Sequence, residues 1–307
     1  MHAFTFVLAS YFFVIHGAHG GPNRAEPAHE FFVWNVGQGL WSTYVTGDTC
    51  IHFDMGGEQA PWKAIAAVCG AKFNQVHLTH WDLDHLSFIS RVARELKFIC
   101  LQTPPMGFAN QKKQDLLAKL KMCQPKTVPS QSLPLYRPLL NDKESSSDQE
   151  HSSNDLSQVY LAGAHAPILI PGDSTTKRER QWLKNLPPQG AWLLVLGHHG
   201  SRTSTSPELL SRLKFTRMAI ASSRQARYGH PHPEVRDRLK LKGIALLKTE
   251  DWGTLRFEVP LRLPETRDAQ SRIVTEKRTT DDKAYTQGSS YERRAHRSRD
   301  RRKRSSP

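Results

Sequence analysis

The chain has 307 residues, 38% of them hydrophobic, and a formal net charge of +14. That length holds one large domain or two small ones, and the low apolar share says that part of the chain stays outside any core. The four cysteines, Cys50, Cys69, Cys100 and Cys123, form no CxxC pair, which argues against a cysteine-built zinc site.

In chain order, an apolar run over residues 3–15 ends in Gly17-Ala18-His19-Gly20. It reads as a signal peptide over residues 1–20, cleaved near Gly20. The preceding residues carry His2 and no Lys or Arg, so an uncleaved membrane anchor is the alternative. Either way an exported protein, periplasmic or secreted, is expected. No other segment approaches the ~20 apolar residues that span a bilayer. The cysteines are consistent with disulfides in an oxidising compartment and equally with buried thiols.

Glu30–Val36 reads as a strand closed by Gly37-Gln38-Gly39. Trp41–Val45 and Cys50–Asp54 follow as strands, the second ending at Met55-Gly56-Gly57. A helix is expected from Pro61 to Cys69. Gln75–Thr79 alternates as a strand, and Leu86, Ile89, Ala93 and Leu96 have helical spacing. A strand Lys97–Leu101 and a helix near Gln111–Met122 come next. Residues 125–154, rich in Pro, Ser and Gln, read as a flexible insertion. Strands are expected at Leu156–Leu161, Ala166–Ile170, Ala191–Leu196, Arg217–Ser222, Ile244–Lys248 and Thr254–Val259. Helices are expected at Thr175–Leu186, Pro207–Leu213 and Pro233–Leu239. The order predicts an α/β domain over residues 30–260, with two sheets face to face and helices outside. Residues 261–307 hold 14 Lys+Arg against 7 Asp+Glu without apolar periodicity. They read as a disordered basic tail that either binds polyanions by counterion release or is simply solvated.

The chemistry concentrates at strand ends. His80-Trp81-Asp82-Leu83-Asp84-His85 puts two imidazoles and two carboxylates on a strand-to-helix turn, where short side chains converge. Capping of a helix by Asp82 or Asp84 would explain the acids alone. Asp173, His198-His199 and Tyr228-Gly229-His230-Pro231, each after a predicted strand, supply the further partners of a metal site. His77 alternates with its strand and reads as packing, His151 as a solvated residue of the insertion or a missing ligand, His165 as a turn residue, and His232 as a cap neighbour.

As a set these motifs resemble the metallo-β-lactamase-fold hydrolases, and specifically the hydrolase domain of ComEC-type competence proteins. The matching pieces are Val36-Gly37-Gln38-Gly39, Asp54-Met55-Gly56, the His80–His85 signature, Asn154-Asp155-Leu156-Ser157, Gly172-Asp173, His198-His199-Gly200-Ser201 with Ser204, and Tyr228-Gly229-His230-Pro231. They cover residues 31–259 in the family's order. Three departures stand out. Asp82 occupies the usual second histidine of H-x-H-x-D-H, which favours a harder metal or a displaced first site. Ala226 stands where Asn is common. No membrane-channel segments flank the domain, so the chemistry carries over and the DNA-import role does not.

The resemblance implies a four-layer αββα metallo-β-lactamase-like sandwich of two mixed sheets with helices outside. It implies two divalent metal ions, manganese or zinc, activating a water against a phosphodiester, with DNA as the expected substrate. His80 and Asp82 would hold one ion, and Asp84 and His85 the other. Asp173 would bridge them, and one of His198 and His199 would close the second site, with His198, directly at the strand end, preferred. Asp54 would orient a ligand histidine. Asp84 and His230 are the expected catalytic residues, His230 as the acid for the leaving oxygen. Ser201, Ser204 and Arg227, with Arg202 and Arg224, would hold the substrate phosphates. The alternatives are an ester or lactone hydrolase of the same fold and a non-catalytic polyanion-binding protein.

Overall fold

A computed structural model describes residues 29–107, 109–124, 152–163, 166–188 and 190–259, together with the backbone of 273–275. The expected signal peptide, His151, His165, most of the 125–154 insertion and most of the basic tail lie outside the described residues.

Among the described residues, two mixed sheets form the centre. The first has seven strands, β1 (His29–Val33), β2 (Ser42–Thr46), β3 (Thr49–Phe53), β4 (Phe73–His77), β5 (Ile99–Thr103), β11 (Leu255–Val259) and β12 (Ile273–Thr275), in the order β12-β11-β1-β2-β3-β4-β5. The second has five, β6 (Tyr160–Ala162), β7 (Ile168–Ile170), β8 (Leu193–Val195), β9 (Met218–Ala221) and β10 (Ala245–Lys248), in the order β10-β9-β8-β7-β6. Pairing is antiparallel among β11, β1, β2 and β3 and parallel from β3 to β5. In the second sheet only β6 runs antiparallel to its neighbour. β12, within the segment expected to be a disordered tail, pairs with β11 (Leu255↔Thr275).

The strand alternation sorts side chains into layers. Phe31, Val33, Ile51 and Phe53 meet Ile168, Ile170, Val195 and Ile220 between the sheets. Their neighbours point outward. Phe32, Cys50 and Val76 pack under α1 (Trp62–Cys69) and α3 (Ile89–Glu95). Leu169, Leu194 and Ala219 pack under α5 (Thr176–Trp182), α6 (Pro207–Arg212) and α8 (Pro233–Leu241). Three apolar layers between four layers of elements are the αββα sandwich that the sequence implied.

Several boundaries move. The helix expected from Leu86 to Leu96 is broken at Ser87-Phe88 into α2 (Leu83–Leu86) and α3. α4 (Gln111–Leu117) ends well before Met122. Ser153–Leu156 is a 3₁₀ turn and not the start of a strand. Two short helices, α7 (Gln225–Tyr228) and α9 (Thr249–Trp252), lie where loops were expected. Both cysteine pairs are disulfides, Cys50–Cys69 tying β3 to α1 and Cys100–Cys123 tying β5 to the chain after α4. Loops of 19 and 23 residues make each worth about 3 kcal/mol by chain entropy.

Candidate metal centre

The polar clusters gather where strands of both sheets end. Asp54 follows β3, and His80, Asp82, Asp84 and His85 follow β4. Asp173 follows β7, His198 and His199 follow β8, and His230 follows β9 and α7. Close backbone contacts bring these loops together. Leu40 N donates to Asp84 O at 3.0 Å, and His198 N donates to Gly172 O at 3.0 Å. A Cβ at Gly39 would lie 2.6 Å from Asp84 O, and one at Gly172 2.6 Å from the Thr79 side chain, so glycine is required at both. Asp54, His198 and His199 themselves have left-handed φ angles of 57°, 48° and 56°. That conformation costs about 1–3 kcal/mol each for residues with a Cβ, and such strain collects at functional sites.

Two donor groups share a member: His80, His85 and Asp173, and Asp84, His85 and His199. In the second group His199 Nε2 is 3.1 Å from Asp84 Oδ2 and 3.3 Å from His85 Nε2. Asp173 lies between the groups, with Oδ1 3.1 Å from His85 Nε2 and Oδ2 3.8 Å from His80 Nε2 and 3.7 Å from His199 Nε2. Asp82 Oδ2 is 3.5 Å from His80 Nε2, and Asp82 Oδ1 is 3.5 Å from Lys113 Nζ on α4.

Hydrogen bonds behind the cluster fix which imidazole nitrogen faces inward. His85 Nδ1 is 2.7 Å from Asp54 Oδ2, and His199 Nδ1 is 3.0 Å from the Ser222 carbonyl. Both partners only accept, so each Nδ1 carries the proton. Thr79 Oγ1 donates to Asp54 Oδ2 at 2.7 Å and is thereby left to accept from His80 Nδ1 at 2.9 Å. All three rings turn Nε2 to the centre, the nitrogen through which a neutral imidazole with a protonated Nδ1 binds metal. His80 Nε2 and Asp173 Oδ1 are buried without a properly aligned hydrogen-bond partner. Bare nitrogens facing each other at 3.3 Å repel unless a cation or proton joins them. Bonds of ~2.0–2.1 Å to one ion would set such donors ~3.3–3.5 Å apart. The donor set therefore fits divalent cations, with His85 common to the two groups and Asp173 lying between them.

Electrostatics agree. Burial alone would raise the Asp173 carboxyl, yet the charges of His85 and His199 hold it well below the usual carboxylate range. Against the same burial, Asp173 and Asp54 raise His85 well above the usual imidazole range. Asp84 stays low against burial because His199 and His85 face it. The His80 ring, its Nε2 3.5 Å from Asp82 Oδ2, keeps the Asp82 carboxyl low.

The preference for His198 in the second group is corrected: His199 sits there, while His198 is 27% exposed with Nε2 3.7 Å from Asp173 Oδ2. The two left-handed residues turn the chain so that the second histidine points inward. Ser204 is also corrected as a phosphate contact. It is fully buried, with its hydroxyl packed against Gly197. Ser201 Oγ pairs with Thr203 Oγ1 at 3.0 Å, and Thr203 Oγ1 is 3.3 Å from His198 Nδ1. Arg227 is exposed but engaged, its Nη1 2.7 Å from Glu58 Oε1. Arg224 and Tyr228 hold the same carboxylate at 3.0 and 3.1 Å. His230 lies beside His198, ring centroids 5.9 Å apart, and its Nδ1 is 3.4 Å from Gln38 Nε2. His77 is buried, stacked on Phe53 and bonded to Thr103, as its packing role predicts. His232 takes the N-cap position of α8 without a side-chain capping bond. Thr79, Gln38, Glu58 and Lys113 escaped sequence reasoning because their partners lie 25 to 192 residues away or on another element.

No family model matches the chain. Competence protein ComA of Neisseria gonorrhoeae is 28% identical over 234 residues, 73% of this chain and 31% of that protein. ComE operon protein 3 of Bacillus subtilis (strain 168) is 27% identical over 116 residues, 38% of this chain and 15% of the relative. Recombination protein 2 of Haemophilus influenzae is 24% identical over 239 residues, 76% of this chain and 29% of the relative. The chain thus spans less than a third of the length of each. Among solved structures, the metallo-β-lactamase fold protein YhfI from Bacillus subtilis superposes with a TM-score of 0.46 at 13% identity, covering 72% of this chain and 96% of that one. A diphosphatase of the PhnP family gives 0.44 at 15% identity, covering 76% and 100%. The resemblance to competence proteins read from the motifs is thus matched by these relatives.

Proposed function

We propose that this chain is an exported, metal-dependent phosphodiester hydrolase acting on DNA. The observation that carries the proposal is the pair of donor groups joined through His85 and Asp173. Divalent ions held there, manganese or zinc, would supply Lewis-acid charge and an activated water to the reacting phosphorus. His80, Asp82 and Asp173 would hold one ion, and Asp84, His85, His199 and Asp173 the other. The chain's own residues do the rest. Asp54 and Thr79 fix the ring orientations, and Asp173 stays ionised at neutral pH. His198, Ser201 and Thr203 line the mouth of the site. His230, beside His198, would offer a hydrogen bond to an oxygen of the phosphoryl group or leaving sugar.

DNA as the substrate is supported by the relatives' names, competence and recombination proteins, and by a net charge of +14. Arg224 and Arg227 would reach phosphate only by sharing or leaving Glu58. The basic residues after Thr275 would add affinity through counterion release and take no part in chemistry. Two disulfides support export to an oxidising compartment.

The test is metal analysis of the purified chain with hydrolysis of single-stranded DNA, double-stranded DNA and bis-nitrophenyl phosphate, comparing Mn, Mg and Zn. About two equivalents of metal and metal-dependent cleavage of DNA are expected. A metal-loaded protein that hydrolyses an aryl ester or a lactone and no phosphodiester would overturn the reading.

A further inference from the structure

His230 differs from the three inward-facing histidines in one respect. Each of their Nδ1 atoms faces an acceptor, whereas His230 Nδ1 faces the side-chain amide of Gln38 at 3.4 Å. Which end of that amide points at the ring is decided by its other end. The backbone N–H of Arg224 lies 3.1 Å from Gln38 Oε1, and a backbone N–H can only donate. The oxygen is therefore committed to Arg224, and the NH₂ group faces His230. An NH₂ group cannot accept, so His230 Nδ1 must hold a lone pair. A neutral imidazole with a bare Nδ1 carries its proton on Nε2.

We infer that Gln38 is a positioning residue that fixes His230 as the neutral Nε2–H tautomer, making it a hydrogen-bond donor and not a ligand. The frame around Gln38 is rigid enough for this task. Gln38 is buried, and its own N–H donates to Glu58 Oε2 at 3.1 Å. Glu58 in turn holds the side chains of Arg224, the N-cap of α7, and of Arg227 and Tyr228 within it. Gly37, at φ +75°, takes a backbone conformation that side chains rarely adopt, and a Cβ there would push Glu58 Oε2, 2.5 Å away, from its bonds. The loop after β1, the turn after β3 and helix α7 are thus one hydrogen-bonded unit, and Gln38 is the member that touches the ring. In place of a proton-transferring acid for the leaving oxygen, this reading makes His230 a neutral donor, poised for an oxygen that gains negative charge.

The tautomer stands on the geometry alone, and its use in turnover rests on the phosphodiesterase reading above. The experiment is ¹⁵N NMR of the full, zinc-loaded chain with ¹⁵N-labelled histidine, the His230 signals being identified by their loss in His230→Gln. At pH 7 the wild type should show a protonated Nε2 and a bare Nδ1. Gln38→Glu keeps an acceptor for Arg224 N–H but places a second acceptor at the ring, and should move the proton to Nδ1. Gln38→Met removes both contacts and should give a mixture. With zinc content and KM unchanged, kcat on single-stranded DNA, whose sugar alkoxide needs a donor to leave, should fall about 10²-fold in Gln38→Glu. A wild-type Nδ1–H, or an unmoved proton in Gln38→Glu, would overturn the inference. A reversed tautomer with unchanged kcat would overturn the positioning role. Absence of any phosphodiesterase activity in the wild type would instead refute the proposed function, leaving the NMR result to decide the tautomer.

Discussion

Asp54 Oδ2 lies 2.7 Å from His85 Nδ1, and the same oxygen takes the Thr79 hydroxyl at 2.7 Å while Oδ1 takes the Thr79 backbone N–H. One buried carboxylate from β3 therefore sets two imidazoles of the β4 turn, His85 directly and His80 through Thr79. Both Asp54 oxygens are thereby engaged by the ligand-bearing turn. Asp54→Asn keeps the shape but puts an NH₂ group where an acceptor is needed, so one of these bonds reverses. The expected outcome is a 10–100-fold loss of metal affinity, roughly the usual effect of such supporting carboxylates. Competition against a chelator of known affinity measures it, and unchanged affinity would deny Asp54 this role.

The geometry separates two adjacent histidines. His199→Ala should lose metal, because His199 Nε2 stands 3.1 Å from Asp84 and 3.3 Å from His85 Nε2. His198→Ala should keep most of its metal and lose turnover through the mouth of the site. Metal analysis of the two purified variants decides between them, and equal metal loss would place His198 in the same coordination group.

Much of the site is legible in the sequence because its pieces are local. Four donors within six residues on a strand-to-helix turn can hardly avoid one another, and glycines mark the turns that bring in Asp173 and His199. What local pattern cannot show is direction after a turn. The left-handed angles at His198 and His199 invert the alternation that made His198 the natural choice. Ser204 fits a motif spacing, but spacing does not tell an inward hydroxyl from an outward one. Arg227 reads as a free cation until Glu58, 169 residues away in sequence, is brought against it. The sheets were readable from alternation, whereas four-residue helices such as α7 and α9 are too short for a period to register. The cysteines could not be paired because 19- and 23-residue separations fit either state.

Acid should weaken the fold through a buried histidine away from the metal centre. His52 accepts from Trp41 Nε1 at 3.1 Å on Nδ1 and meets Asn74 Oδ1 at 2.9 Å on Nε2. Burial lowers it from its ordinary 6.5 to about 4. Between those values the unfolded chain binds a proton that the folded chain does not, so stability is full above pH 6.5 and falls as pH drops toward 4. The loss attributable to His52 is about 3 kcal/mol at most. Urea unfolding of metal-free protein from pH 7.5 to 4.5 should show this slope, and His52→Gln should flatten it whatever its effect at pH 7. An equal slope in the variant would assign the acid sensitivity to other groups.

The first metal group contains its own competitor. Asp82 stands between His80 and Lys113, with Oδ2 3.5 Å from the imidazole and Oδ1 3.5 Å from the ammonium. A cation entering beside His80 must share this carboxylate with a fixed positive charge, whereas the second group has no lysine or arginine paired to its donors among the described residues. The Asp82 side chain is 36% exposed and Lys113 22%, so solvent screens the pair and its worth is no more than about 1 kcal/mol. Lys113→Met should therefore tighten the weaker of two metal-binding steps by about five-fold and leave the tighter step unchanged. Added salt should shrink the difference between variant and wild type. Isothermal titration of metal-free protein with manganese resolves the two steps. Weaker binding in Lys113→Met would show instead that the lysine holds Asp82 in its ligating position, and no change in either step would leave the pair without a part in metal binding.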